Sequence, residues 1–308
     1  MTDLILHHFE SSPFSEKIRL VLGWKRLAWR SVIVPIMLPK PDVVALTGGY
    51  RRTPLLQIGA DIYCDTALIC RVIDQRAPEP ALYPAAAPLH RVVAQWADTS
   101  LFWTAIPYTT QPAGIPHLFP GATLEFLKAL GQDRAAMTAG LRRVNPVDGA
   151  AQLASHFATL EAQLAAGQPF LLGAAPGIAD FAVAQSLWFL RLAPPLAELL
   201  APFPALVAWY ERIAAFGHGR PEPMTSDAAI AVAAGAAGSF APCTVEPGLG
   251  FSHGAPITVA AIDYATDLVP GTLVGLSRDE VVIERHDDRA GTVHVHFPRI
   301  GYQLKKPT

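Results

Sequence analysis

The period of apolar positions changes twice along the chain. Near the start, the run Leu4-Ile5-Leu6 is followed by Ser12-Pro13 and then by Ile18, Val21 and Leu22 on one helical stripe. The pattern reads as a strand running into a helix. Ser12 suits the cap, because its oxygen can accept from an unpaired backbone N–H. Pro13 suits the first helical position, where a missing N–H costs nothing. Glu16, Lys17 and Arg19 fall mostly off the apolar stripe. Residues 4–8 and 29–34 read as strands on either side of this helix. Thr53-Pro54-Leu55-Leu56-Gln57-Ile58 and Ile62-Tyr63-Cys64, joined by the turn Gly59-Ala60-Asp61, read as a hairpin. Asp65-Thr66 then caps a helix with Ile69, Val72 and Ile73 on its apolar face. The order is βαβ followed by ββα.

Pro78, Pro80, Pro84 and Pro88 mark a connecting segment, and beyond it the sequence turns helical. Leu153, Phe157, Leu160 and Leu164 keep helical spacing, and residues 204–213 read as a further helix. After Gly217 come prolines, glycines and one alanine-rich piece fit for a short helix. From Ala255 the period falls to two, in segments such as Glu280-Val281-Val282-Ile283-Glu284 and Val293-His294-Val295-His296-Phe297. About five short strands parted by turns predict a small all-β, SH3-like barrel. The expected units are residues 1–78, 88–217 and 255–308, with 218–254 as an Ala/Pro/Gly-rich linker.

Composition narrows the function classes. With 308 residues, the chain is long enough for two or three domains. A formal net charge of −2 with mixed signs gives no basic excess for nucleic acid. The three cysteines, Cys64, Cys70 and Cys243, form no CxxC pair, which fits a reducing, cytoplasmic setting. The start lacks the basic and apolar regions of a signal peptide, and the apolar window 228–241 is too short to span a bilayer. No membrane association is expected.

The segment Ser12-Pro13-Phe14-Ser15-Glu16-Lys17-Ile18-Arg19-Leu20-Val21-Leu22 resembles the opening of the first helix in tau- and omega-class glutathione transferases. In those classes the residue before Pro-Phe is the catalytic serine or cysteine, here Ser12. The resemblance covers about residues 3–217 and is poor over 105–150. It implies a thioredoxin-like α/β domain that binds glutathione, followed by the family's all-α domain. Thr53-Pro54 resembles the family's cis-proline, whose preceding residue bonds the cysteinyl backbone of glutathione. Asp65-Thr66 resembles the acidic and hydroxyl pair that holds the γ-glutamyl zwitterion. For the glycyl carboxylate, the candidates are Lys40, Arg51 and Arg52, and Lys40 is preferred. Phe14 completes the glutathione set. Asp180, in Gly177-Ile178-Ala179-Asp180-Phe181, resembles the family's helix-capping aspartate and is read as structural.

The resemblance implies conjugation of the glutathione thiolate to a small apolar electrophile, glutathione being a substrate, and a homodimeric assembly. Trp103 and Tyr108 are the expected walls of the electrophile pocket, Tyr108 because Pro107 interrupts the helix beside it. An alternative is a glutathione-binding adaptor with little turnover, whose C-terminal β domain recruits a protein partner. His294 and His296 share one strand face, but the sequence offers no third spaced ligand. They are read as a polar face on the barrel exterior, and no metal is expected.

Overall fold

The computed structural model describes residues 3–142, 144–236 and 238–306. The opening half-domain follows the expected order. Strand β1 (Ile5–His8) leads into helix α1 (Pro13–Trp24), and β2 (Ala28–Ile33) returns parallel to β1. A short α2 (Pro41–Thr47) precedes the hairpin β3 (Leu55–Ile58) and β4 (Asp61–Cys64), with β3 antiparallel to β1. Helix α3 (Thr66–Arg76) closes the unit, the thioredoxin-like arrangement expected from the pattern.

A helical domain follows. Helix α4 (His90–Trp96) runs through one π-helical turn at Ala97–Leu101 into α5 (Phe102–Thr109). The short α6 (Ile115–Leu118), then α7 (Leu124–Met137), α8 (Pro146–Ala165), α9 (Ile178–Arg191), the short α10 (Pro194–Ala197) and α11 (Pro204–Ala214) complete it. Asp180, fully buried, accepts from the backbone N–H groups of Leu171 and Gly177 and from Trp209 Nε1, each at 2.8–2.9 Å. It ties the start of α9 to α11 and takes up donors that burial would otherwise leave unpaired. No helix among the described residues is long and apolar enough to cross a membrane.

The chain beyond residue 217 differs from the expectation in how it attaches. The segment foreseen as linker contains β5 (Arg220–Pro223), parallel to β2, and α12 (Ser226–Gly235). Beyond it, β6 (Pro256–Ala261), β7 (Val269–Leu276), β8 (Glu280–Asp287), β9 (Gly291–Pro298) and β10 (Tyr302–Lys305) form the small all-β unit. In this unit β6 to β9 form a meander and β10 returns to pair with β6, an order consistent with the small SH3-like β domain expected from the pattern. Its strand β9 pairs parallel with β4, so one ten-stranded sheet runs β10-β6-β7-β8-β9-β4-β3-β1-β2-β5. One face is a shared core, in which Ile5, Val32, Leu55 and Ile62 of the first half pack with Ile283, Val295 and Ile230 of α12. Pairing β9 with β4 covers the edge that β4 would otherwise leave unpaired.

A second departure concerns α1. Glu16, Lys17 and Arg19 are all buried, because α9 and the helical domain cover the face that the stripe left polar. Each finds a charge partner. Arg19 Nη2 lies 2.7 Å from Glu16, and Lys17 Nζ lies 2.5 Å from Asp98 in the π-helical turn.

Candidate functional site

Two cavities meet where the half-domain faces the helices. The larger, about 910 Å3, opens at the start of α1 and is walled by Phe9, Ile36, Phe102, Trp103, Ile106 and Phe119 among others. The smaller, about 60 Å3, lies over the start of α3. Phe14, Arg52, Thr53 and Tyr264 line both, so the two are continuous at those side chains.

Ser12 caps α1 as its sequence position predicts, with φ −85° and ψ 119°, and Pro13 occupies the first turn. Its Oγ accepts from the Ser15 N–H at 3.2 Å. The hydroxyl proton is not consumed by that bond, and Ser12 lines the large cavity. A donor therefore faces the cavity where the helix N-terminus contributes positive potential. Phe14 packs on Phe102 with ring centroids 4.4 Å apart, joining α1 to α5.

The peptide between Thr53 and Pro54 is cis. Thr53 Oγ1 accepts from Lys40 Nζ at 3.0 Å, and Lys40 also donates to the Arg51 carbonyl at 3.3 Å. The three cations considered for one role differ sharply in their partners. Arg51 is paired with Asp133, and Arg52 with Asp263 while its guanidinium stacks on Tyr264. Among the described residues Lys40 has only neutral oxygens as hydrogen-bond partners. Burial, with Arg134 and Arg51 nearby, pushes its pKa down to about 8.

Asp65 caps α3, accepting from the Ala67 N–H at 2.9 Å with the unusual φ of 73°. Its second oxygen accepts from the Tyr302 hydroxyl at 3.2 Å. Thr66 Oγ1 accepts from Lys17 Nζ at 3.2 Å, which leaves the threonine hydroxyl proton available to the small cavity it lines. Lys17, Asp98, Tyr264 and Tyr302 carry no short motif, and the sequence pattern did not single them out. Asp98, Asp263, Tyr264 and Tyr302 line the small cavity. The last three belong to the C-terminal meander, which thus supplies a wall that the first 217 residues lack.

Trp103 lines the large cavity, but Tyr108 does not. From α5 and its cap the cavity takes Phe102, Trp103, Ile106, Pro107 and Thr110, which share one side of the helix. Tyr108, five residues beyond Trp103, falls on the opposite side. It sits over Gly149 of α8, and its hydroxyl donates to the Leu196 carbonyl at 3.4 Å. Pro107 breaks the hydrogen-bond ladder without turning that side chain inward.

A thioredoxin-like half-domain with a capping hydroxyl, a cis Thr-Pro and an Asp-Thr helix start, joined to an all-α domain, defines the architecture of glutathione transferases. The chain belongs to the glutathione S-transferase family. Its residues 6–81 match the family's N-terminal domain and residues 133–212 its C-terminal domain. Over its whole length it is 40% identical to a GST-like protein from Pseudomonas syringae, also covered completely, with a TM-score of 0.81. Glutathione S-transferase III in its apo form is 26% identical over 69% of this chain and 92% of its own, with a TM-score of 0.53. The β-etherase LigF from Sphingobium sp. strain SYK-6, 20% identical over 70% of this chain and 96% of its own at a TM-score of 0.53, shares the fold. No functionally curated protein matches the sequence.

Proposed function

We propose that this chain conjugates the glutathione thiolate to a small apolar electrophile. The observation that carries the reading is Ser12, a buried helix-capping hydroxyl opening on an apolar cavity of about 910 Å3. That volume is within the range of small-molecule sites. In this reading glutathione lies across the junction of the two cavities. Its sulfur rests by Ser12, its cysteinyl backbone meets Thr53 beside Pro54, and its γ-glutamyl end reaches Asp65 and Thr66. Lys40 meets the glycyl carboxylate. The electrophile occupies the large cavity against Phe14 and Trp103.

The chemistry is a pKa problem. A free thiol near 8.5 is only a few per cent ionised at pH 7. A drop of about two units, roughly 2.7 kcal/mol of preferential thiolate stabilisation, makes it mostly nucleophile. One charge-assisted hydrogen bond and a helix N-terminus supply that order of energy. The thiolate attacks the electrophilic carbon, the new C–S bond replaces the bond to the leaving group, and the leaving group departs with the electron pair. Serine favours conjugation over disulfide exchange, since a hydroxyl can donate to sulfur but cannot form a disulfide.

A second reading rests on the small cavity. About 60 Å3 holds only a handful of waters, and Tyr302 already occupies one oxygen of Asp65. A glutathione-binding adaptor, with the meander closing over the γ-glutamyl end and recruiting a partner, would tolerate that closeness. Calorimetric titration of the full chain with glutathione, followed by assay with an aryl halide, separates the readings. Uptake with turnover is the expected result, uptake without turnover favours the adaptor, and no uptake removes both. The cytoplasmic homodimer is part of the same proposal, and exposed Leu89 and Val92 at α4 are apolar residues such a contact would cover.

Lys40 gives this reading a pH signature. Below about pH 8 its ammonium is charged and attracts the carboxylate, and above that it is neutral and does not. KM for glutathione should therefore rise as pH increases through about 8. In Lys40→Met, KM should start roughly tenfold higher, the order of one charge-assisted hydrogen bond, and lose that rise. The same pH dependence in the variant would remove Lys40 from the role.

A further inference from the structure

On the sheet face opposite the shared core, the junction of β4 and β9 gathers a cluster that the glutathione reading does not use. The parallel register sets Asp61 beside His294 and Tyr63 beside His296, and β8 sets Glu284 beside His294. Asp61, His294 and His296 are all buried, not on an exterior face. A carboxylate oxygen of Asp61 and one ring nitrogen from each histidine lie within 4.8 Å of one another.

The surroundings are ordered as metal ligands require. His296 Nε2 is 2.8 Å from Asp61 Oδ1, and its Nδ1 is 2.7 Å from Glu280. His294 Nε2 faces Glu284 at 3.4 Å, while its Nδ1 is buried with no hydrogen-bond partner among the described residues. The second oxygen of Asp61 accepts from the Ala241 N–H at 2.8 Å. Each first donor is thus held from behind, the arrangement that fixes the tautomer and orientation of a ligating histidine. Phe240 stacks on His294, with ring centroids 3.6 Å apart and planes at 11°, and limits its rotation.

An ion-pair cluster explains His296 alone. It leaves His294 Nδ1 buried and unsatisfied, a cost of about 1–3 kcal/mol. It also gathers three carboxylates, Asp61, Glu280 and Glu284, around the two imidazoles, and of these three Arg71 pairs with Glu280, at 3.8 Å. A cation resolves both.

We propose that Asp61, His294 and His296 bind one divalent transition metal of the zinc class, with Glu280 and Glu284 orienting the two imidazoles. Two nitrogens and one carboxylate oxygen suit zinc, with a water completing four-coordination. Binding displaces the Nε2 proton of His296 to solvent. The ligands come from β4 in the half-domain and β9 in the meander, so the metal staples the meander to the sheet. Cys243, three residues after Phe240, donates its thiol to the Val274 carbonyl at 3.6 Å and stands outside the three-ligand cluster, so it serves as the control.

The test uses the full-length untagged chain, stripped with a chelator and titrated with zinc or cobalt(II). One zinc per chain is expected by elemental analysis after dialysis. At a hundredfold excess over Kd, the melting temperature should rise by about 5 °C. Cobalt should give visible absorption of a four-coordinate site. His294→Ala should lose both signals, and Cys243→Ser should keep them. Should His294→Ala fail to fold, Glu284→Gln with unchanged circular dichroism should bind about 10–100-fold more weakly. Absence of any metal-dependent shift or cobalt band in the native chain overturns the site. So does unchanged affinity in Glu284→Gln, or loss of the signals in Cys243→Ser with retention in His294→Ala.

Discussion

Ser12→Ala should lower kcat/KM with an aryl halide at pH 7 by at least about threefold, and move the midpoint of the pH–rate profile up by about two units. The fold-change follows from the ionisation equilibrium. Returning the glutathione thiol to about 8.5 cuts its thiolate share at pH 7 by roughly 25-fold. A more basic thiolate is intrinsically more reactive, with a Brønsted slope of about 0.4–0.5, so part of that loss is returned. Loss of the hydroxyl that positions the sulfur then adds to the deficit. The midpoint is therefore the sharper readout, because reactivity and positioning change the height of the profile and not its position. Stability should fall by only about 1 kcal/mol, the usual worth of a capping hydroxyl, here the bond to the Ser15 N–H. A variant with parental rate and an unmoved midpoint would take catalysis away from Ser12.

What was legible in the sequence was local. The cap at Ser12 with Pro13 behind it, the hairpin turn at Gly59-Ala60, and the Asp65-Thr66 helix start each depend on a few neighbouring residues, and each stands where the pattern put it. Asp180 was readable for the same reason, since a carboxylate three residues into a helix after glycine has backbone donors to satisfy. The rest is long-range. Nothing in the alternation of Val293 to Phe297 announces that β9 will add to β4 in parallel, because period two marks a strand but not its partner. That single pairing joins the small β unit to the first sheet. It brings Asp61 to the two histidines, and it delivers Tyr264 and Tyr302 to the cavity over α3. The error over Tyr108 is of another kind. A proline marks where a helix is perturbed, but the face a side chain presents is set by its angular offset from residues already facing the cavity.

The charges on α1 show the same limit and lead to the second large effect. A Lys at position 17 would ordinarily extend into water, yet its side chain is 0% exposed and its ammonium lies 2.5 Å from Asp98, whose side chain is 15% exposed. Removing one member of such a pair leaves an uncompensated charge, at about 3–5 kcal/mol. The two ends should not cost the same. In Lys17→Met, Asp98 keeps the Gln185 amide at 2.7 Å and some contact with the small cavity, so the loss should be near 3 kcal/mol. In Asp98→Ala, Lys17 keeps only the Thr66 hydroxyl as a hydrogen-bond partner among the described residues, with no access to water, and the loss should approach 5 kcal/mol. The double variant Lys17→Met/Asp98→Ala carries neither charge of the pair and should recover much of either loss, giving a coupling of opposite sign to the single effects. Urea unfolding of the four proteins measures this directly. Equal losses below about 1 kcal/mol in both single variants would mean that the pair is solvated as a surface ion pair is. The pair also bears on binding, because Lys17 holds the Thr66 oxygen and so directs the threonine proton toward the cavity. Lys17→Met should thus raise KM for glutathione more than it lowers kcat, a split that a purely structural role for Lys17 would not produce.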